Sequence, residues 1–397
     1  MRRTATPVIP FFRAALIAAG LALAACAPQP TAGVALPAAP AAPQSRGVAA
    51  SGPVQVALLL PRGAAEAGVQ ALAADIEAAA RLAAAEAGAG RIELRVFDTA
   101  ASPAQAAQAA QAAVNGGAAI LLGPLYSATT RAVRPVATGA GVTALSFSSD
   151  SAAGGAPVFV MGDLPENEAD RLMGYAASQG VGTLAITRPQ SDYGALSERA
   201  VRESAARHGV RVVHTLSYPR SFEGVQAALG EGAPGVRASG AEGVLIADGG
   251  QALRAVAAFL DYHDVSPRSV RFMGLGLWRN PETLQEPTLR GGWFAGPDPA
   301  AAADFEARFR AATGRAPHPL AWMGHDAVRA VAQLLAQGGA APFAAQAVAN
   351  SAGFDGARGP WRFTPAGANQ RALAVFEVTE EGFVVRDPAP AALGAGS

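Results

Sequence analysis

Lysine is absent from the sequence. All 31 basic residues are arginines, matched by 31 acidic ones, so the formal charge is zero. A chain without excess positive charge offers no electrostatic footprint for nucleic acid, and none is expected as a partner. Together with the surplus of Ala and Gly, the missing lysine reads as genomic composition bias. Cysteine occurs once, at Cys26, so no intrachain disulfide can form and no thiolate set can hold a metal. The five histidines (His208, His214, His263, His318, His325) never fall in H-x-x-x-H or H-E-x-x-H spacing. No G-x-S-x-G elbow and no S-x-x-K string offers a nucleophile, and Gly274-Leu275-Gly276 lacks the rest of a dinucleotide loop. The expectation is a protein that is not an enzyme and carries no cofactor. Aromatic residues are few; of the four tryptophans (Trp278, Trp293, Trp322, Trp361) most are expected in the core, although exposed Trp and Arg would suit a protein partner.

The N-terminus is the most specific stretch. Arg2, Arg3 and Arg13 precede an apolar segment, Ala14 to Ala25, too short to span a bilayer and suited to a signal-peptide core. It ends in Leu23-Ala24-Ala25-Cys26, small residues before a lone cysteine. That ending resembles a bacterial lipobox, which implies a lipoprotein signal peptide over 1–25 and lipidation of Cys26. Ala27 after the cysteine is similar to the outer-membrane-sorted class. Residues 26–52 are rich in Pro, Ala and Gly without periodicity and read as a linker, about 30 Å in reach as a coil and about 80 Å if extended.

From residue 53 the pattern alternates. Val54 to Leu60, VQVALLL, reads as a first buried strand, Ala71 to Ala87 as an Ala-rich helix, Ile92 to Asp98 as an alternating strand, and Ser102-Pro103 opens a helix to Val114. The next unit is the most informative. Ala119 to Leu122 is a buried strand that ends at Gly123-Pro124. A helix follows, led by Ser127, Thr129 and Thr130, and a second strand from Val142 runs into Ser146-Phe147-Ser148-Ser149. Strand–helix alternation means a parallel sheet, and ligands of such sheets sit beyond the carboxyl ends of strands. A further strand at 158–161 precedes a new α/β series: helices at 166–179, 193–208, 223–229 and 252–262, and strands at 182–187, 210–216, 243–247 and 270–274. A lobe boundary is therefore expected near 161–165. Helices follow at 301–313, where Phe305 and Phe309 share a face, and at 325–337. Short strands are expected at 356–363, 372–378 and 382–385, and disorder over 389–397.

The order of several strings carries a resemblance: VALLLP at 56–61, ILLGPLYS at 120–127, GVTALSFSS at 141–149, SDYG at 191–194, FEARFRAATGRAPHPLAWMGHDAV at 305–328 and FDGARGPWRF at 354–363. The chain resembles the type I periplasmic-binding-protein superfamily in its branched-chain amino acid receptor branch. The resemblance implies an α/β fold of two lobes, each a parallel-sheet sandwich, joined by a three-strand hinge. Lobe one would be 53–162 plus 300–338, and lobe two 163–299 plus 339–388. Within the superfamily, the lipobox, the linker and the tail at 354–378 are most similar to the penicillin-binding protein activator lipoproteins.

By position, the resemblance would place a ligand carboxylate at Ser127 and at Ser146, Ser148 and Ser149. Tyr193 would stand at the cleft, and Asp248, at a strand end, could meet an ammonium; each can also serve as a cap or turn residue. The first functional expectation is a lipid-anchored outer-membrane protein, facing the periplasm, that binds and activates a peptidoglycan synthase. The second is a receptor of an ABC importer for an amino acid or amide. No metal site is expected.

Overall fold

The computed structural model describes residues 52–88, 90–349 and 352–394. The predicted signal peptide, Cys26 and the linker through residue 51 lie outside these residues, as do 395–397.

The apolar run VQVALLL forms β1 (Val54–Leu60), its last five residues buried. It lies between β2 (Ile92–Asp98) and β3 (Ile120–Leu122), followed by β4 (Thr143–Ser146) and β5 (Val158–Val160), all parallel in the order β2-β1-β3-β4-β5. A strand with a neighbour on each side and helices on both faces has no polar face to show, hence its apolar character beyond Gln55. Edge strand β2 keeps the alternation IELRVFD, with every second residue turned outward over its first half. The connecting helices are α1 (Ala67–Glu86), α2 (Pro103–Asn115) and α3 (Ser127–Ala140). Alanines of α2 and α3 pack on one face of the sheet, while Leu72, Ile76 and Ala80 of α1 pack on the other. Each fully buried leucine or isoleucine contributes roughly 1.5–3 kcal/mol.

The second lobe repeats the plan. It contains α4 (Pro165–Ser178), β6 (Thr183–Pro189), α5 (Asp192–Arg207), β7 (Arg211–Tyr218), α6 (Phe222–Ala238), β8 (Gly243–Ile246), α7 (Gly250–Tyr262), β9 (Arg271–Gly274) and β10 (Trp293–Gly296). The chain then returns to the first lobe with α8 (Pro299–Thr313), α9 (Trp322–Gln337) and a short α10 (Ala345–Val348), and with a small antiparallel sheet of β11 (Phe354–Gly356), β12 (Gly359–Phe363) and β13 (Asn369–Arg371). Finally β14 (Ala374–Val378) and β15 (Phe383–Asp387) join the second sheet, ordered β15-β14-β10-β9-β8-β6-β7. β6 to β10 are mutually parallel; β14 and β15 run antiparallel at its edge.

The structure corrects several expectations. Residues 339–371 do not belong to lobe two: Phe343, Phe354, Trp361 and Phe363 share one core with Phe159, Trp322 and α1. Only from about Ala374 does the chain rejoin lobe two, where Ala374, Phe376 and Val378 pack with Phe294. Helix α6 extends to Ala238 rather than ending at 229, through three glycines and Pro234. Two of them answer a packing need, because a Cβ on Gly232 would come within 2.4 Å of the Leu216 side chain and one on Gly235 within 2.9 Å of the His214 ring. Strand β10 was not expected; it is four residues long and follows two glycines. The tail predicted to be disordered is held as far as described: Arg171 donates to the Pro388 carbonyl (3.2 Å) and Arg362 to that of Gly394 (3.0 Å). All four tryptophans are buried, at 0–7 % exposure, so none is a surface anchor.

Among the described residues, β5–α4, β10–α8 and β13–β14 carry the chain between lobes, three crossings side by side. Asn369 binds two of them, its amide donating to the carbonyls of Val160 (3.0 Å) and Gly162 (2.9 Å), while its own carbonyl oxygen accepts from Asn167 (3.0 Å). Arg371 is buried beside it. Its guanidinium lies 4.1 Å from the Trp322 ring centre and 4.8 Å from that of Trp361, and it donates to the Met161 carbonyl (3.1 Å) and to Asp326 (3.4 Å).

Candidate functional site

Strand ends decide where a site can form. β3 stops at Gly123, whose φ of +92° is a conformation that side-chain-bearing residues rarely adopt. A Cβ there would also approach the Leu59 carbonyl oxygen at 2.4 Å. This turn carries the chain over the sheet edge into α3. The carboxyl ends of β3, β4 and β5 on one lobe face those of the second lobe's strands across a cleft of about 840 Å³. On the first-lobe side Leu72, Leu125, Phe147, Trp322 and Met323 supply apolar wall. Glu168, Tyr193, Leu196 and Leu277 line the other.

Only part of the predicted set reaches this cleft. Ser149 and Tyr193 line it, from opposite lobes. Ser127 is the first residue of α3 and does not line it; its hydroxyl lies 3.5 Å from Arg131 Nη1. Ser146 is fully buried, its hydroxyl 2.7 Å from that of Thr130 and accepting from the Ser148 N–H at 3.1 Å. Ser148 spends its oxygen on the Asp150 N–H (3.1 Å). Asp248 is buried within lobe two: Tyr218 donates to it at 3.2 Å, the Gly249 N–H at 2.9 Å, and Arg220 pairs with it at 2.9 Å. Burial beside that carboxylate holds the Tyr218 hydroxyl far above its ordinary value. Cys26 lies outside the described residues.

The groups that do meet in the cleft are mostly ones the sequence did not single out. Glu168, in the first turn of α4, accepts the Gly276 N–H at 2.9 Å. Burial in the cleft wall, with Asp163 close by, pushes its carboxyl up to about 8, against the pull of that N–H and of Arg358. Burial first, and the Glu168 charge second, hold the Tyr193 hydroxyl above its usual range. Arg358, on the turn between β11 and β12, pairs with Asp163 at 3.0 Å and lies 4.7 Å from the Trp322 ring centre. Arg279 follows β9 and donates to the Pro297 carbonyl at 2.5 Å. Burial lowers its affinity for its proton, and so does Arg358, while Asp298, Glu306 and Asp163 act the other way. His318 reaches the cleft on a loop pinned to α1, where Asp75 accepts the His318 N–H (2.7 Å) and a bidentate grip from Arg315. Arg358 stands in the FDGARGPWRF string, but that string signals a turn; nothing local marks Arg279 or Glu168 as cleft residues.

The Gly274-Leu275-Gly276 string also has its reason here. A Cβ on Gly274 would fall 2.0 Å from Trp278 Nε1, and one on Gly276 would fall 2.3 Å from Glu168 Oε1. The glycines make room for an indole and a carboxyl.

A family model described as periplasmic binding protein matches residues 53–382. Among solved structures the chain is similar to a Rhodospirillum rubrum protein assigned to a branched-chain amino acid ABC transporter, with 19 % identity, 84 % of this chain and 99 % of that one covered, and a TM-score of 0.71. It is similar to an ABC transporter substrate-binding protein from Desulfitobacterium hafniense in complex with Leu: 20 % identity, 84 % and 99 % coverage, TM-score 0.62. A third is an ABC transporter solute binding protein from R. palustris in complex with benzoate: 18 % identity, 87 % and 98 % coverage, TM-score 0.59. At these identities the likeness establishes a shared fold. No curated protein sequence matches.

Proposed function

The chain belongs to the periplasmic binding protein family, and from that premise we propose that it binds a small solute in the cleft between its lobes and catalyses no reaction. The observation that carries this reading is the cleft itself. Its volume of about 840 Å³ lies within the roughly 300–1,000 Å³ of small-molecule sites, and its mixed lining of apolar wall and few polar groups is what such sites use. Two similar proteins solved with ligands hold Leu and benzoate, both carrying a carboxylate. The test is a thermal-shift series on the purified protein with amino acids, their amides and aromatic acids. A concentration-dependent rise in Tm with one class supports the reading, since ligand binding to the folded state alone stabilises it. A flat response to every class defeats it.

A second reading has its own observation. Ser146 and Ser148 spend their hydroxyls internally and Asp248 is neutralised by Arg220. Three of the six groups that the resemblance would assign to a ligand are thereby engaged within the protein. On this reading the protein is an outer-membrane lipoprotein, anchored through lipidated Cys26 and facing the periplasm, that binds and activates a penicillin-binding protein. In-cell crosslinking of a tagged chain separates the two: a bifunctional penicillin-binding protein supports the regulator, an inner-membrane permease the receptor. Loss of the anchor in Cys26→Ala, read by membrane fractionation, tests the localisation.

A further inference from the structure

Three observations in the cleft concern the same chemistry. Arg358, on lobe one, has a side chain only 13 % exposed, yet among the described residues one carboxylate oxygen of Asp163 is its sole hydrogen-bond partner. Its ring contact with Trp322 at 4.7 Å holds the guanidinium in place without using any of the remaining N–H donors of the five it carries. Arg279, on lobe two, is exposed and has one hydrogen-bond partner among the described residues, the Pro297 carbonyl, while its guanidinium also lies 5.4 Å from the Phe376 ring centre. Both line the cleft. They stand near enough that the charge of Arg358 weakens proton binding at Arg279. Two guanidiniums that line one cleft with N–H donors not spent on protein groups suit an oxyanion placed between the lobes. Beside Arg358 the indole Nε1 of Trp322, a cleft-lining residue 2 % exposed, is a buried donor without a hydrogen-bond partner among the described residues.

Resting on the solute-binding reading, we propose that the cleft takes a ligand bearing a carboxylate or phosphate, and that Arg358 and Arg279 grip this oxyanion from the two lobes. The anion subsite would then lie at the hinge side of the cleft, not at the hydroxyl loops after β3 and β4. Planar guanidinium suits it, because it donates two parallel hydrogen bonds to a carboxylate or phosphate. The cleft is not uniformly positive: Asp163 pairs with Arg358, and Asp298 and Glu306 also line the wall. A bare counterion therefore gains little over these carboxylates, and recognition must come from bidentate geometry together with an apolar remainder packing on Leu72, Phe147 and Met323. Since the two arginines belong to different lobes, an oxyanion held by both couples binding to closure.

The experiment is isothermal titration of the full chain at fixed ionic strength with four probes: benzoate, its neutral isostere benzamide, inorganic phosphate and leucine. The expected result is that benzoate or phosphate binds and benzamide does not. Arg279→Gln and Arg358→Gln should each weaken that binding at least tenfold, while Arg237→Gln, which loses a surface pair with Asp264, leaves it unchanged. Arg358→Lys keeps the charge and removes the fork; if Arg358→Gln does not fold, a tenfold loss in the lysine variant makes the same case. Benzoate binding selectively over phosphate identifies a carboxylate ligand, and the reverse a phosphate. Oxyanion binding that survives both glutamine variants overturns the proposal. Binding of benzamide as tight as benzoate also overturns it, while leaving the receptor reading intact. Failure of all four probes overturns the inference and counts against the receptor reading with it.

Discussion

At the scale of single residues the cleft imposes costs that can be measured. Glu168 has its carboxyl raised to about 8 against an ordinary 4.5. Across the window from about pH 4.5 to 8 the unfolded chain releases this proton while the folded one keeps it. The folded state binds more protons there, so its stability falls as pH rises. Thermal melts at pH 5 and pH 8 should show a decline in Tm that is smaller in Glu168→Gln, which keeps an acceptor for the Gly276 N–H. Equal declines in both proteins would mean that the carboxyl is ionised in the folded state. Gly274 answers to packing alone. An added methyl at 2.0 Å from Trp278 Nε1 must displace an indole that is fully buried and donates to the Ile246 carbonyl at 3.1 Å. Overpacking of this kind costs typically 1–3 kcal/mol, so Gly274→Ala should lower the urea midpoint by about that amount. An unchanged midpoint would show that the indole can move aside freely.

Among the elements, the small sheet β11–β13 does more than its size suggests. It supplies Arg358 to the cleft, Trp361 and Phe363 to the first-lobe core, and Asn369 and Arg371 to the hinge. Arg371 is held between two indoles, and burial pushes its guanidinium down to about 10 while Asp326 pulls it back. It stays charged at neutral pH by a wide margin. Removing one partner of a buried pair strands the other, at about 3–5 kcal/mol. Arg371→Met should therefore destabilise by that order, read as a shift in denaturant midpoint at constant slope. A loss below about 1 kcal/mol would mean that the Ala357 N–H, donating to Asp326 at 2.6 Å, with His325 at 3.3 Å, suffices for that carboxylate. Elsewhere the elements follow local rules. Ser102 and Pro103 start α2 as their types suggest, although the Ser102 side chain makes no cap bond. Phe305 and Phe309 both turn inward from α8.

For the molecule as a whole, the question is whether the lobes move. Three crossings allow a hinge, and the Asn369 amide ties two of them by hydrogen bonds that bending need not break. If an oxyanion bridges Arg358 and Arg279, small-angle scattering should give a smaller radius of gyration with saturating benzoate or phosphate than without. The same value in both states would describe a cleft that binds without closing. Arg279→Gln should abolish the difference, since it removes the second-lobe half of the grip, together with one bond to the Pro297 carbonyl of the β10–α8 crossing.

What the sequence by itself determined is what short-range periodicity controls. The largely apolar stretch at 54–60, the alternation at 92–98 and the regular strand–helix spacing to 274 force a parallel α/β architecture, because each segment can bury its apolar face in few ways. The boundary near 161–165 was legible for the same reason. Tertiary structure alone decided the rest. Ser148 and Ser149 are neighbours, yet one turns into the fold and the other into the cleft, because successive residues leaving a strand point to opposite sides. Residues 339–371 joined the first lobe because Phe343, Phe354 and Trp361 found their partners near Phe159 and Trp322, far away in the chain. Arg279 and Arg358 came to line one cleft by the same long-range closure. No local pattern encodes where two charges will meet, since that depends on which faces two separately folded layers present to each other.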